Sequence, residues 1–418
     1  MRALYTIAIF LYSLAIRAAA PFSVKARQMV HGWSNTWKLL PPPSGTVKTL
    51  WFHASSMGEF EQARPIIETI RQQLHDTKIV VTFFSPSGYE FRKNYPHADT
   101  VCYLPIDTPR NARRFVKKVK PDIAFFAKYD FWFNYLNALR QNNIPTYLFS
   151  AIFRPSQYFF KPYGRWFRTQ LGLCFTHLFV QNQTSLQLLL QHGIPQCSIA
   201  GDTRFDRVHT IAQEARQFDI VEQFAKNVAP RKILIAGSSW QPDETMLHRY
   251  SLHNPDVAFI LAPHVISESH LNTIENLWDT NQCIRYSALK SNPAAISPNH
   301  KVLIIDNIGM LSSLYRYAHT AYIGGGWGKG IHNTLEPLAF DKPVVFGPNY
   351  KKFQEAHDII SRHCGASYKT YEQLQFLLDS YLCDDSNYNK ACAACHSYMA
   401  ENIGSTSKIL KKIFQTQD

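Results

Sequence analysis

The chain has 418 residues, 45% hydrophobic and 18% charged; this excludes a disordered protein and exceeds what one hydrophobic core usually organises, so two domains are expected. A formal net charge of +13 calls for an anionic partner: nucleic acid, an acidic membrane surface or a phosphorylated substrate. Eight cysteines, scattered and mostly set in apolar runs such as TVCYLPI and LGLCFTHLF, read as free thiols of a reducing compartment.

The N-terminal stretch MRALYTIAIFLYSLAIRAAAPF is apolar between Arg2 and Arg17. As a helix its 14 apolar-run residues reach about 21 Å, short of a hydrocarbon core of about 30 Å. The basic start, apolar middle and AAA imitate a signal peptide, but Pro21 stands where cleavage would fall and Arg17, Lys25 and Arg27 continue the basic character. Residues 1–20 therefore read as an uncleaved anchor in or on a membrane, basic flank on the cytoplasmic side.

TVKTLWFHAS follows, β-branched and aromatic like a strand, and behind it Phe60, Ala63, Ile66, Ile67 and Ile70 recur at helical spacing. Glu59 sits at that strand-to-helix corner, where ligands bind in open α/β sheets. An acid in a first helical turn also stabilises the helix dipole by about 0.3–1 kcal/mol without any substrate, so position alone leaves both readings open.

Near-continuous apolar runs at 79–84, 122–127, 144–151 and 177–182 read as strands buried on both faces. Between them, Arg110, Arg113, Arg114 and Lys117 share a helical face that reads as solvated. Lys161, Arg165 and Arg168 share a second helical face and are interleaved with Tyr158, Phe159, Phe160, Trp166 and Phe167, a mixture suited to acyl chains and anionic headgroups. No nucleic-acid-binding motif appears. A polar helical stretch without a strand marks a boundary near 208, after which the rhythm resumes at 232–239, 257–264, 301–306, 320–326 and 343–347. The pattern is two doubly wound α/β domains.

The glycine cluster YIGGGWGKGIHNTLEPLAF (322–340) fits neither G-x-G-x-x-G nor the Walker pattern. A strand, a glycine loop and a helix starting near Asn333 would make an anion site from backbone N–H groups and the helix dipole. Glu336 is within reach of a ribose hydroxyl pair, yet Asn333 with Glu336 three residues on is equally a helix cap worth about 1 kcal/mol. Of seventeen histidines, His53, His264 and His332 lie at strand ends or the glycine loop; none has metal-site spacing, and no metal is expected. CAACH, Cys392 to His396, matches the c-type haem signature and with Cys383 offers a zinc alternative, but its surroundings read as ordinary helix. The terminal TSKILKKIFQ reads as a short amphipathic helix.

These motifs resemble, in order from about residue 20 to 400, the Kdo (3-deoxy-D-manno-octulosonic acid) transferases of lipopolysaccharide assembly. The family's H-S-x-S-x-G-E stands here as HASSMGE, its E-T-E-x-W-P-N as KYDFWFN, its G-x-x-K-F-D as GDTRFD, its G-G-x-x-x-x-G-G-H-N-x-L-E as GGGWGKGIHNTLE, and its later G-P segment as GPNYKKFQE. The resemblance implies a GT-B glycosyltransferase fold: two Rossmann-like domains facing a cleft, 21–208 binding acceptor and 209–418 binding nucleotide sugar. It implies inverting transfer of Kdo from CMP-Kdo to the primary hydroxyl of lipid A precursor, lipid IV(A), on the cytoplasmic face of the inner membrane, with no cofactor, metal or nucleic acid. Glu59 matches the general base and Asp130 the second acid of E-T-E. His53, Ser56, Arg154 and Arg204 fall on the substrate side. Ser238, Pro263, His264, Gly325, Gly326, His332 and Asn333 fall around the nucleotide, with Glu336 holding the ribose. Departures are Lys128 for the first acid, Asp130 for a longer one, Arg204 for lysine, a lone His264 after Pro263, and Arg154 displaced within SAIFRPS; they cluster on the acceptor side and around the sugar carboxylate. Alternatives are a UDP-sugar transferase of the same fold or a non-catalytic lipid-binding or haem-carrying envelope protein.

Overall fold

The computed structural model describes residues 1–40 and 47–414. Apolar runs without alternation need cover on both faces, and parallel sheets flanked by helices supply it. The first domain's strands are β1 (Lys48–Ala54), β2 (Thr77–Phe83), β3 (Thr100–Tyr103), β4 (Ile123–Ala127), β5 (Thr146–Ala151), β6 (His177–Val180) and β7 (Cys197–Ile199), paired in parallel in the order β3-β2-β1-β4-β5-β6-β7. Because side chains alternate across a strand, Leu50, Phe52 and Ala54 pack on one face with Phe60 and Ile66 of the helix Met57–Gln73. Trp51, Val80 and Phe126 pack on the other with Phe115 and Leu136.

The second domain's strands are β8 (Lys232–Ser239), β9 (Val257–Pro263), β10 (Cys283–Arg285), β11 (Val302–Ile304), β12 (Thr320–Ile323), β13 (Val344–Phe346) and β14 (Gly365–Ser367), in the order β10-β11-β9-β8-β12-β13-β14. In each sheet the order reverses at one junction, β1/β4 and β8/β12, and ligands of such sheets bind beyond the strand ends there.

The chain divides into residues 1–207 with 403–418, and 208–402. The final helix, Ser405–Phe414, therefore belongs to the first domain and not to the second, where a boundary near 208 leaves it. Ile409, Leu410 and Ile413 bury its apolar side in the first core, and the Asp206 carboxylate caps it by accepting the Gly404 and Thr406 N–H groups at 2.6 Å each.

The first helix is Arg2–Ala19, 18 residues and about 27 Å long, longer than the apolar run between its arginines. Only 6% of it is buried against the rest of the protein. Leu4, Ile7, Leu11 and Leu14 line an exposed stripe, while Tyr5, Ile9 and Ile16 pack on the first domain. The stretch 158–168 differs from expectation. Lys161 lies between two short 3-10 turns, Tyr158–Phe160 and Pro162–Gly164, outside the helix Arg165–Cys174, and Phe159, Phe160, Trp166 and Phe167 turn into the core. Arg110, Arg113, Arg114 and Lys117 are exposed on the helix Pro109–Val119, the solvated face their spacing indicates. In the helix Asp385–Asn402, Cys395 is buried with its Sγ 3.4 Å from the Cys364 carbonyl, while His396 is exposed beside Asp341.

Candidate functional site

At the β1/β4 junction the corner after β1 supplies Ser55, Ser56 and Glu59, and the loop after β4 supplies Lys128, Asp130 and Trp132. Asp130 is 11% exposed and accepts from the Ser55 N–H at 2.7 Å and the Ser55 hydroxyl at 2.5 Å. Burial, with Glu59 close by adding repulsion against the Ser55 hydrogen bonds and Lys128, raises its carboxyl to about 8. Glu59 Oε2 is buried without a hydrogen-bond partner. Two neighbouring carboxyls thus differ in commitment: Asp130 is held on Ser55, and Glu59 keeps an oxygen available. Such separation is how paired carboxyls divide acid and base roles.

His53 is not a substrate contact. It is fully buried, and both ring nitrogens are used. The Trp132 indole N–H donates to Nε2 at 2.8 Å, which puts the ring proton on Nδ1, 2.9 Å from the Thr82 hydroxyl. Burial lowers the imidazole to about 3, so it is neutral and its 3.9 Å approach to Asp130 is no ion pair. Its place is to fix Trp132.

Ser56 is the N-cap residue of the helix Met57–Gln73 without a capping side-chain bond; its neighbour Ser55 is the serine that holds Asp130. Arg204 forks onto Asp202 with Nε and Nη2 at 2.9 and 2.7 Å from one carboxylate oxygen. Burial opposes ionisation of Asp202, but Arg204 outweighs it and holds that carboxyl below its ordinary range. Gln62 and Gln181 donate to the same carboxylate at 3.2 Å each. Arg154 lies exposed beyond β5, its backbone N–H donating to the Gln157 side chain. Lys128 (φ +57°) and Ser150 (φ +50°) carry left-handed backbone at the ends of β4 and β5, as Ser238 (φ +53°) does in a register shift of β8. Strain of this kind concentrates at functional strand ends.

At the β8/β12 junction a cavity of about 530 Å³ is lined by residues including Trp240, His264, Gly325, Lys329 and His332. Trp240 stacks on His264 at 4.7 Å and His264 on His332 at 4.5 Å, while the Trp240 indole N–H reaches His332 Nε2 at 3.3 Å. Burial first, and His264 second, lower His332 to about 4, so this aromatic wall is uncharged on His332 and Lys329 supplies the positive charge. The loop is held by Asp243, which accepts from the Gly325 and Trp240 N–H groups at 3.0 Å each and from the Tyr322 hydroxyl at 2.7 Å. Tyr368 extends this relay, accepting from the Trp327 indole at 3.0 Å. Gly325 has φ +88°, and a Cβ on Gly326 would come within 2.6 Å of the Gly347 Cα.

The glycine loop departs from an open N–H cradle. The N–H groups of Gly324, Gly325, Gly328, Gly330 and His332 all donate within the protein. The following helix, Leu335–Leu338, starts near Asn333 as expected but is only four residues long. Asn333 Oδ1 accepts from the Leu335 N–H at 3.1 Å and its amide donates to Glu336 at 2.9 Å, a local turn ahead of the helix, whose N-cap residue is Thr334 and not Asn333. Ser238, Pro263, Gly326, Asn333 and Glu336 lie outside the cavity lining; His264, Gly325 and His332 are within it. Sequence reasoning missed Ser55, Trp132, Asp202, Trp240, Asp243 and Lys329. Asp202 and Lys329 stood inside motifs read for other residues, and Asp243 follows Trp240 at the three-residue spacing of a helix-start acid.

A sequence profile of the family described as 3-deoxy-D-manno-octulosonic-acid transferase (kdotransferase) matches residues 31–207. The 3-deoxy-D-manno-octulosonic acid transferase of Haemophilus influenzae is 27% identical over 88% of this chain and 86% of its own. That of Chlamydia muridarum is 26% identical over 80% and 79%. Residues 31–207 thus carry the Kdo transferase family's pattern, and the likeness to its members runs over most of the chain. The chain is a glycosyltransferase. Among solved structures, the UDP-GlcNAc 2-epimerase of Neisseria meningitidis, bound to UDP-GlcNAc, superposes with TM-score 0.62 at 14% identity, covering 88% of this chain and all of the epimerase. A 2-epimerase from Listeria monocytogenes gives 0.60 at 13%, covering 89% and 98%. These likenesses concern the fold, two α/β domains of the GT-B kind.

Proposed function

We propose that this glycosyltransferase moves Kdo from CMP-Kdo to the primary hydroxyl of a lipid A precursor, with inversion, on the cytoplasmic face of the inner membrane. The observation that carries the reading is Glu59 with an uncommitted buried oxygen beside Asp130 at a sheet switch point. An alcohol is a weak nucleophile near neutral pH. Glu59 takes the hydroxyl proton as the new C–O bond forms at the anomeric carbon, while the bond from that carbon to the phosphate oxygen breaks and CMP leaves with the electron pair. Asp130, which favours its protonated form up to about 8, does not compete for the role of base. In the second domain, the cavity wall of Trp240, His264 and His332 offers a flat face to a nucleobase or sugar ring, and Lys329 a charge to the leaving phosphate.

Acceptor character is supported by the exposed Leu4, Ile7, Leu11 and Leu14 stripe, which an acylated substrate's membrane would cover, and by the basic face of Arg110, Arg113, Arg114 and Lys117. The test is mass spectrometry of lipid A precursor after incubation with the full-length protein and CMP-Kdo generated in situ. One or more added Kdo masses are expected, and the spectrum counts them. No added mass from protein that binds CMP would overturn the reading. Thermal stabilisation by UDP in preference to CMP would redirect it to a UDP-sugar donor.

A further inference from the structure

The apolar N-terminal helix has a second side. Tyr5 is carried inward, where its hydroxyl donates to the Asp107 carboxylate at 2.6 Å and accepts from the Phe133 N–H at 3.4 Å. Asp107, fully buried, also accepts the Asn134 and Tyr135 N–H groups at 3.1 and 3.0 Å, so it caps the helix Phe133–Gln141. Around this bond, Arg2 and Thr6 reach the Asn134 side chain and the Tyr5 ring meets Phe133 edge-on at 5.3 Å. Tyr12, two turns further along the same helix, stacks on Phe84 at 6.1 Å, and Phe84 lies 4.4 Å from Trp132.

Both contacts bear on one short segment. Residues 130–133 run from Asp130, held on Ser55, through Trp132, held on His53, into the capped helix. One end of that segment is the carboxyl beside Glu59, and the other is clamped by Tyr5.

We infer that Tyr5 and Asp107 are positioning residues for catalysis: through them the N-terminal helix, besides serving as an anchor, sets the Asp130–Trp132 loop and so the geometry of the acceptor site. The inference rests on the transfer reading above for its kinetic consequence, but not for its structural one. A hydroxyl deleted at residue 5 leaves the helix as apolar as before and frees the start of the helix Phe133–Gln141. Displacement of a catalytic group by as little as an ångström is costly in rate.

The experiment compares full-length wild type, Tyr5→Phe, Asp107→Asn and Asp107→Ala in the same lipid nanodiscs. For Tyr5→Phe, kcat falls roughly tenfold, while the KM for CMP-Kdo, the CMP affinity and sedimentation with vesicles stay at wild-type values, and the amides of 133–135 exchange faster with deuterium. Asp107→Asn, which keeps one of the two acceptor oxygens shared by Tyr5 and the helix N–H groups, retains more turnover than Asp107→Ala. Wild-type kcat and wild-type exchange in Tyr5→Phe would overturn the inference, as would a kcat loss that merely parallels lost vesicle binding. If wild type itself transfers no Kdo, the transfer reading fails, and the exchange comparison alone decides whether Tyr5 holds the loop. Should Asp107→Ala not fold, Tyr5→Phe carries the decision.

Discussion

At the residue scale the site turns on two carboxyls treated differently by their surroundings. Glu59→Gln removes the acceptor of the proton and keeps the shape. The expected result is CMP affinity unchanged by calorimetry and transfer lowered by about 10²–10⁴-fold; turnover near wild type would remove Glu59 as base. Asp130 makes a prediction about stability. Its folded-state carboxyl, raised by burial to about 8 from an ordinary 3.8, binds a proton more tightly than in the unfolded chain. The stabilisation from that proton is therefore complete below about 4 and is lost as pH rises through 8. Asp130→Asn cannot lose it. Between pH 5 and 9 the melting temperature of wild type should decline more than that of the variant, and equal slopes in the two would show that Asp130 is ionised across the whole range.

At the scale of elements, the glycine loop is the sharpest case of backbone demand. Gly326→Ala would drive a Cβ to 2.6 Å from the Gly347 Cα, a backbone clash no rotamer relieves, and overpacking of this kind costs about 1–3 kcal/mol. The variant should melt earlier and bind CMP more weakly, since the displaced loop carries Lys329. Much of this architecture was legible beforehand. Long apolar runs gave away the interior strands because burial on both faces leaves no other composition, and the corner at Glu59 showed through a change of period from strand to helix. The edge strands β3, β7, β10 and β14 were not legible, being three or four residues long with one neighbour each. Long-range partners were hidden too. Nothing local in HASSMGE says that His53 is spoken for by Trp132 and Thr82, or that Arg204 is spent on Asp202, because those partners arrive from other strand ends. The final helix shows the same limit. Its amphipathic face announced burial but not which core, and the answer lay in Asp206, two hundred residues earlier, capping it. Asp206→Ala should cost about 0.5–2 kcal/mol, read as a lower melting temperature and faster amide exchange across 404–410.

At the scale of the whole molecule, a net charge of +13 and an exposed apolar stripe act on a membrane by different laws, and that makes them separable. Attraction of basic side chains to anionic lipid falls off within a Debye length, about 10 Å at 0.1 M salt and 3 Å at 1 M. Burial of apolar surface does not depend on screening, and is worth about 0.8 kcal/mol for each CH₂ taken out of water. Ile7 and Leu11 stand 54% and 58% exposed on the outward stripe, so glutamates there leave the inward contacts of Tyr5 and Ile9 alone while removing apolar area and adding negative charge. For wild type, sedimentation with vesicles containing anionic lipid should weaken as salt rises from 0.1 to 1 M but level off at a residue of binding also seen on neutral vesicles. For Ile7→Glu combined with Leu11→Glu, that plateau should vanish at high salt, while the salt-sensitive part persists at low ionic strength because the basic helix Pro109–Val119 is untouched. A plateau of equal height in the double variant would mean that some other surface holds the protein to lipid, and the outward stripe would then need a different occupant.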